Sequence, residues 1–256
     1  MGRRRAELGG AALEHYALKG WVVVPAFFSA AETSQLLGFT DELCELPEVP
    51  GKQMVYREPS LLDARTRVFQ RVENFCPYHI GFDKLIRAGR LASAAEQLLG
   101  SAAVLFKEKI NFKMSGGAGF QPHQDQQAGW SRYAPLFLTA LVSIDPATLE
   151  NGCLEIANCP RQSKLIGREW TPLTSSEMAS FELMPVPTQP GDVVFFDSFV
   201  PHASGPNLTS NQRRVLYVTY NRASDGDHRV SYYADKRASF PPEIERRPGV
   251  EYRFRV

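Results

Sequence analysis

Two histidines and one aspartate are the residues whose types and spacing could do chemistry in this chain. His123 and Asp125 form a His-x-Asp pair after a glycine-rich loop, and in an extended segment their side chains project to the same side. His202 follows 79 residues later, after a buried strand and a turn, so it must come from a different strand. Two histidines and one carboxylate hold Fe(II) while leaving three coordination positions open. A chelating 2-oxo acid and dioxygen would fill those positions, which predicts oxygenase chemistry.

An arginine extends this pattern. Arg213 lies 11 residues after His202 and enters an apolar run at residues 215–220. A guanidinium there suits the distal carboxylate of 2-oxoglutarate, because it is always charged and binds carboxylates through two parallel hydrogen bonds. Arg214 points to the other face of the strand and is the competing candidate.

The composition is that of a globular chain with little net charge. The 256 residues are 43% hydrophobic and 22% charged, with a formal net charge of +1. This apolar fraction argues against disorder, and the near-neutral charge argues against a nucleic-acid-binding protein. No apolar run approaches the ~18–20 residues of a membrane span. We therefore expect a small-molecule substrate and neither a nucleic-acid nor a membrane partner, while the oligomeric state stays open.

The cysteines and the N-terminal residues predict a cytoplasmic protein. The four cysteines have no zinc-ligand spacing and are too few for a disulfide scaffold of this size, so we expect reduced thiols. Glutamates interrupt the apolar core that a signal peptide would need after the basic start of the chain.

The elements that must position the candidate residues change in character near residue 100. Before it, residues 11–18 and 91–99 are amphipathic, and Ser29 with Glu32 forms a capping box, so this part is expected to be mainly helical. After it, short β-branched and aromatic runs alternate with turn residues, at 104–114, 137–145, 153–157, 181–186, 193–196 and 215–220.

These runs predict a sandwich or jelly roll with the early helices packed on one sheet. No linker divides the chain. We expect a single domain over residues 1–256, made of a helical cover (1–100), a jelly-roll core (101–222) and a C-terminal extension (223–256).

The motifs also occur in an order typical of one family. His123-Gln-Asp125, Asn151-Gly-Cys-Leu154, Pro190-Gly-Asp192, His202-x-Ser204 and Arg213 together resemble the phytanoyl-CoA dioxygenase (PhyH) family over residues 100–222. The resemblance implies a mainly β fold, namely a double-stranded β-helix of the cupin-like jelly-roll type. It also implies an Fe(II)/2-oxoglutarate-dependent dioxygenase that hydroxylates a C–H bond with O2 and releases succinate and CO2.

The resemblance assigns roles to individual residues. His123, Asp125 and His202 would hold the iron, and Arg213, favoured over Arg214 for this reason, would bind 2-oxoglutarate together with Ser204. In relatives the polar face of the strand before the His-x-Asp motif also touches the co-substrate. The candidates on that face are Asn111 and Lys107, and the alternative is that its lysines lie on an exposed sheet face. One departure is a loop beginning at residue 158, which lacks the Gly-Ser-His that members often carry.

The substrate is less constrained. Candidate contacts are Gln127 and Trp130 after the iron motif, Arg222 after the last strand, and Tyr56 and Arg57 in the N-terminal part. Trp130 could instead be a packing residue, and the arginines could be surface charges. Polar and cationic groups favour a small anionic or zwitterionic substrate. The C-terminal part from residue 217 resembles the bacterial subgroup that oxidises 2-aminoethylphosphonate.

Three alternatives remain. The same chemistry could act on an amino acid or a natural-product intermediate, by hydroxylation, desaturation or cyclisation. A non-catalytic jelly-roll protein that binds metal or senses a ligand is an alternative of another class, and it would be favoured by a missing triad member. A cupin-like metalloenzyme without 2-oxoglutarate is disfavoured by Arg213.

Overall fold

Two antiparallel β-sheets form the centre of the protein. A computed structural model describes residues 7–252. The larger sheet consists of seven strands: β1 (Trp21–Val24), β2 (Met54–Pro59), β3 (Arg67–Glu73), β4 (Ala103–Lys113), β6 (Leu138–Ser143), β9 (Val193–Asp197) and β11 (Arg213–Arg222). The smaller sheet consists of four: β5 (Phe120–His123), β7 (Leu154–Ala157), β8 (Leu183–Val186) and β10 (His202–Ser204). The strand orders are β1-β9-β6-β11-β4-β3-β2 and β5-β10-β7-β8, so neighbours in sequence are rarely neighbours in the sheet.

Within residues 7–252, six α-helices accompany the sheets: α1 (Gly10–Lys19), α2 (Ala30–Glu45), α3 (Ile80–Arg87), α4 (Arg90–Leu99), α5 (Ser175–Met178) and α6 (Arg229–Ser239). The predicted capping box is present, since the Ser29 hydroxyl accepts from the Glu32 backbone N–H and the Glu32 carboxylate accepts from the Ser29 N–H. None of the helices in residues 7–252 is both long and apolar enough to cross a bilayer.

Strand alternation divides β4 and β11 between two environments. Leu216, Val218 and Tyr220 of β11 join the apolar core shared with α2, α3 and α4. Val215, on the opposite face, joins the smaller core between the two sheets. In β4, every second residue from position 107 is polar and lies on the face towards the smaller sheet: Lys107, Lys109, Asn111 and Lys113. The space between the sheets is thus lined partly by charged groups, which are costly to bury without partners.

The sequence-based prediction of a mainly β jelly roll with helices on one sheet is confirmed. The first hundred residues differ in one respect. They contain most of the helices, but β2 and β3 pair with each other and with β4, and they extend the larger sheet. Helix α6 follows the last strand in a part of the chain for which no helix was predicted.

Candidate active site

His123, Asp125 and His202 meet at one end of the space between the sheets. His123 ends β5 and His202 begins β10, and these two residues are direct partners in the antiparallel pairing of the strands. Their ring centroids are 4.3 Å apart, and His123 Nε2 lies 3.9 Å from Asp125 Oδ1. One ligand atom from each of the three residues can be chosen so that all lie within 4.8 Å of one another. Sequence reasoning predicted this cluster from residues 79 positions apart.

Backbone carbonyls orient both imidazole rings. The Nδ1–H of His123 donates to the Gln121 carbonyl at 2.8 Å, and the Nδ1–H of His202 donates to the Val200 carbonyl at 2.9 Å. A carbonyl accepts only, so these bonds leave Nε2 of each ring with its lone pair. Burial, followed by the neighbouring His202, lowers the pKa of His123 to about 3, and burial also lowers the pKa of His202. Two neutral imidazoles with free Nε2 atoms are the ligand form that a divalent metal requires.

The carboxylate of Asp125 is held and ionised. Its Oδ2 accepts a hydrogen bond from Thr139 at 3.1 Å, and the Thr139 hydroxyl lies 3.1 Å from the hydroxyl of Thr219. Burial alone would raise the pKa of Asp125, but His202, His123 and nearby lysines outweigh it and lower the pKa. The donor set of two neutral imidazoles and one carboxylate therefore fits Fe(II).

A narrow inner cavity extends from the triad between the sheets. Among the predicted co-substrate residues, Lys107, Asn111 and Ser204 line it. Asn111 is buried, and its Oδ1 has no hydrogen-bond partner within residues 7–252. Ser204 accepts a hydrogen bond from the Lys113 ammonium at 2.8 Å. Lys107 is buried, so the alternative that its side chain lies on an exposed sheet face is wrong.

Arg213 is buried beside this cavity. Its positive charge acts on Tyr217, which lines the cavity, and opposes the rise in the pKa of that hydroxyl that burial causes. The Nε atom of Arg213 is buried and, among the described residues, has no hydrogen-bond partner. Arg214 instead points to the other face and pairs with Asp145 at 2.8 Å and Asp41 at 2.8 Å. A buried guanidinium with an unused N–H fits the carboxylate of a 2-oxo acid, whereas Arg214 is already neutralised.

A larger cavity of about 690 Å³ adjoins the inner cavity at the triad. His123 and Asp125 line it, as do Arg71, Lys107, Lys109 and Lys236, which are called the cation cluster below. Arg71 and Lys107 are almost completely buried, at 1% and 7% exposure. Lys107 and Lys109 also line the inner cavity, so the cation cluster reaches the place where the two cavities meet at the triad.

One buried carboxylate faces the cation cluster. Glu73 Oε1 accepts from Arg71 Nε at 2.6 Å and from Lys236 Nζ at 2.9 Å. Burial alone would raise the pKa of Glu73, but Lys236 and Arg71 hold it well below its usual range. Burial lowers the pKa of Lys236 to about 7, and burial followed by Lys107 lowers that of Lys109 to about 7. Crowded, desolvated ammonium groups of this kind are stabilised by an incoming anion.

Aromatic rings form the rest of the wall. The Lys107 ammonium lies 4.6 Å from the centre of the Trp130 ring and donates to the Tyr232 hydroxyl at 3.3 Å. Trp130 is 1% exposed and packs edge-on against Phe106, with 5.4 Å between ring centroids. Trp130 therefore packs against other rings and also lines the larger cavity. The sequence had offered packing and substrate contact as alternatives.

Helix α6 supplies residues that sequence reasoning missed. It brings Tyr232 and Lys236 to the cavity, and it is fastened to β4 by Arg229, whose Nη2 donates to Glu108 at 2.8 Å. Glu108 is completely buried and its backbone also bonds the Tyr233 hydroxyl. A Tyr-Tyr pair with a lysine one turn later was the available signal, but no catalytic motif marks it.

Four of the predicted substrate residues lie elsewhere. Arg57 pairs with Glu48, and Arg222 donates to the Leu99 carbonyl at 3.3 Å; neither lines the two cavities. Tyr56 is buried behind the wall, stacked on Phe240 with ring centroids 5.4 Å apart. Gln127 is buried, and its side-chain amide donates to backbone carbonyls instead of lining either cavity. The positions of these residues in the sequence did not reveal the directions of their side chains, because these depend on tertiary packing.

Comparison with known proteins decides the family. The phytanoyl-CoA dioxygenase (PhyH) family matches residues 16–215. The chain belongs to this family. The dioxygenase is an oxidoreductase that uses Fe(II), with 2-oxoglutarate and O2 as co-substrates, and acts on a small molecule.

Two relatives match almost the whole dioxygenase. A 2-aminoethylphosphonate dioxygenase from uncultured bacterium HF130_AEPn_1 is 41% identical over 234 residues, covering 91% of this chain and 89% of the relative. A methylphosphonate hydroxylase from Gimesia maris is 38% identical over 229 residues, covering 89% and 86%. Among solved structures, EctD from S. alaskensis in its apo form superposes with a TM-score of 0.71 at 21% identity, covering 88% of this chain and 81% of that one. This last likeness confirms the fold.

Proposed function

We propose that the dioxygenase hydroxylates a small alkylphosphonate, with 2-aminoethylphosphonate as the first candidate. The observation that carries this proposal is the cation cluster, which lines the larger cavity next to His123 and Asp125. A phosphonate has up to two negative charges and three acceptor oxygens. Several converging N–H donors therefore match it better than they match a single carboxylate. The two relatives named for phosphonates support the same substrate class.

We propose a separate role for each group of residues around the two cavities. His123, Asp125 and His202 would hold the iron, with Thr139 orienting the carboxylate of Asp125. Arg213 and Ser204, with Asn111, would bind 2-oxoglutarate in the inner cavity. When bound, iron with its co-substrates supplies the oxidation of a C–H bond.

The chain's own contribution is to bind and orient the substrate. The cation cluster would hold the phosphonate oxygens, and Lys107 and Lys109 would draw them towards the triad because they line both cavities. The carbon attached to phosphorus would then be the one nearest to the metal. Trp130 and Tyr232 would exclude water from that side.

Two further features bear on the domain organisation and the cellular location of the protein. We propose that residues 1–256 act as one oxygenase domain, since β3, β4 and α6 all contribute to the cavity that the iron motif lines. All four cysteines are free thiols, which supports a cytoplasmic location.

Turnover with a substrate panel tests the proposal. Protein reconstituted anaerobically with Fe(II) and 2-oxoglutarate is exposed to oxygen with 2-aminoethylphosphonate, methylphosphonate, L-proline or ectoine, and succinate and product mass are followed. The expected result is succinate formation matched by the gain of one oxygen in a phosphonate. Matched turnover of L-proline or ectoine alone would overturn the phosphonate proposal. Iron binding without succinate from any member of the panel would favour the non-catalytic alternative.

A further inference from the structure

Two buried glutamines connect the iron motif to an irregular segment that lines the larger cavity. This segment, residues 158–174, contains neither helix nor strand and is called the wall loop below. It follows β7, at the place where the sequence departs from the family pattern. None of the roles proposed above involves it.

Gln124 stands between the two ligands of the His-x-Asp motif and is completely buried. Adjacent residues of an extended segment point to opposite sides, so its side chain is directed away from the metal position. Its Nε2 donates to the carbonyls of Lys164, at 3.1 Å, and Phe199, at 2.6 Å, while its Oε1 accepts from the N–H of Ile166 at 2.7 Å. One amide thus joins the motif, the wall loop and the segment that leads to His202.

Gln127 makes the second set of contacts and is also completely buried. Its Nε2 donates to the carbonyls of Arg168, at 2.8 Å, and Thr171, at 2.7 Å, and its Oε1 accepts from the N–H of Gln124 at 2.9 Å. Its own carbonyl accepts from the N–H of Trp170 at 2.7 Å. All partners in the wall loop are backbone groups, so the two glutamines fix the path of the loop independently of its side chains.

Trp170 is the residue that this arrangement holds against the cavity. Its φ is +63°, a left-handed conformation that is strained for a bulky residue and persists only where the surroundings impose it. Its indole covers Gly129, where an added Cβ would stand 2.1 Å from Trp170 Cζ2. Gly129 also has a positive φ of 71°, so both conformation and space require glycine there. Trp170 lines the larger cavity and is 40% exposed.

We propose that Trp170 is a specificity-determining residue, and that Gln124 and Gln127 are positioning residues that hold it at a fixed place on the cavity wall. The choice of phosphonates as test substrates for this specificity rests on the proposed function. A rigid indole limits how far a substrate chain can extend beyond the cation cluster. The length of the substrate's alkyl chain is therefore limited by Trp170. The two glutamines of the iron motif determine where Trp170 lies, because they hold the backbone of the wall loop.

Chain-length selectivity tests the role of Trp170. The values of kcat/KM are measured for methylphosphonate and pentylphosphonate with wild-type protein and with Trp170→Ala. The expected result is a rise of at least about tenfold in the ratio of pentyl to methyl turnover, with KM for 2-oxoglutarate unchanged. Leu149→Ala, which removes an exposed apolar side chain that lines neither cavity, is the matched control. An unchanged ratio in Trp170→Ala would overturn the assignment.

Limited trypsin digestion tests the glutamines without any substrate. In Gln127→Glu a carboxylate oxygen replaces the amide NH2 group that donates to the carbonyls of Arg168 and Thr171. Because two acceptors then face each other, the loop should be released, and trypsin cleavage after Lys164 and Arg168 should accelerate by at least about tenfold. Gln162→Glu is the control, because that side chain bonds only within the loop, to Pro160 and Cys159. In the wild-type protein both sites should also be cut more slowly than the site after Arg65, in the β2–β3 turn. Equal rates at all three sites would show that the loop is not held, even if Gln127→Glu failed to fold.

A double variant separates positioning from general destabilisation. Gln127→Glu should shift the pentyl to methyl ratio in the same direction as Trp170→Ala, and combining the two should produce no further shift. Additive shifts would mean that the glutamine acts elsewhere. If wild-type protein oxidised no phosphonate, the proposed function would fail, while the trypsin result would still decide whether the glutamines hold the loop.

Discussion

The inner and the larger cavity share the triad but are built in different ways. The inner cavity lies between the two sheets, and its residues come from strands that pair directly, as His123 does with His202. The larger cavity is assembled mainly from β3, β4, α6, Trp170 of the wall loop and residues 120–133, which come from distant parts of the chain. Its lining combines the cation cluster and Arg132 with the carboxylates of Glu73, Asp125, Asp235 and Glu251, whereas the inner cavity also contains neutral polar groups such as Asn111 and Thr139.

The difference suggests a division of roles: the inner cavity serves the chemistry common to the family, and the larger cavity selects the substrate. Metal and co-substrate geometry depends on strand register, which hydrogen bonding and the two-residue side-chain period define strongly. The larger cavity depends on how a helix and a loop pack onto the sheet, and substitutions in its wall that leave Gln124 and Gln127 unchanged can alter it without removing a metal ligand. Variants on the two sides should consequently have separable effects.

The largest expected effect is at the triad. Asp125→Ala removes the anionic ligand, and coupled turnover should fall by more than the ~100-fold that altering merely supporting residues of a metal site can cause. Thr139→Val, which removes only the hydrogen bond to Asp125, should cost about tenfold. Both are measured as the rates at which succinate and hydroxylated product form. Retention of full coupled activity by Asp125→Ala would remove the triad from the mechanism.

A strong effect restricted to the larger cavity is expected for Lys236→Met. Losing one desolvated, charge-assisted hydrogen bond costs about 1.5–3 kcal/mol, so KM for the phosphonate should rise about 10- to 100-fold while KM for 2-oxoglutarate stays constant. Lys84→Met on the exposed surface of α3 is the control. Steady-state kinetics with each substrate varied in turn measures both constants. An equal rise in the two KM values would contradict the separation of the cavities.

The complementary change on the inner side distinguishes two adjacent arginines. Arg213→Lys should raise KM for 2-oxoglutarate by about tenfold, because lysine cannot reproduce the planar donor pair. Arg214→Lys should leave that KM unchanged and lower only the free energy of unfolding, since its partners are Asp145 and Asp41. The same kinetics, combined with urea denaturation, reports both outcomes. The reverse pattern would reassign the co-substrate site to Arg214.

A smaller effect is expected from pH. The pKa of Lys236 is lowered to about 7, so this group is charged below that pH and becomes neutral above it. Binding of an alkylsulfonate inhibitor, whose own charge stays constant, should therefore weaken as the pH rises through about 7. The change should shrink in Lys236→Met, leaving the part due to Lys109. Inhibition that strengthens with rising pH would contradict the role of these lysines.

The smallest effect is expected far from both cavities. Ser29→Ala removes the capping box of α2 and should lower the free energy of unfolding by about 1 kcal/mol. Both KM values should stay constant. Urea denaturation and steady-state kinetics together provide the baseline for a purely structural change.

The sequence predicted the inner cavity better than the larger one for physical reasons. Most strands, the helix starting after Ser29 and the meeting of His123 with His202 follow from local alternation, capping and motif order. The direction of Arg57 and Arg222, the helix that carries Lys236 and the contacts of Gln124 depend on long-range packing. No local pattern distinguishes a lysine that faces a cavity from one that faces solvent.

The most direct test of the central claim is a reaction under ¹⁸O₂ with 2-aminoethylphosphonate. If the triad and the cation cluster act on one substrate, each turnover should place one ¹⁸O atom in succinate and one in the phosphonate, on the carbon next to phosphorus. Labelled succinate with an unlabelled, unchanged phosphonate would contradict the account, because the metal would then be active while the larger cavity does not present this substrate to it.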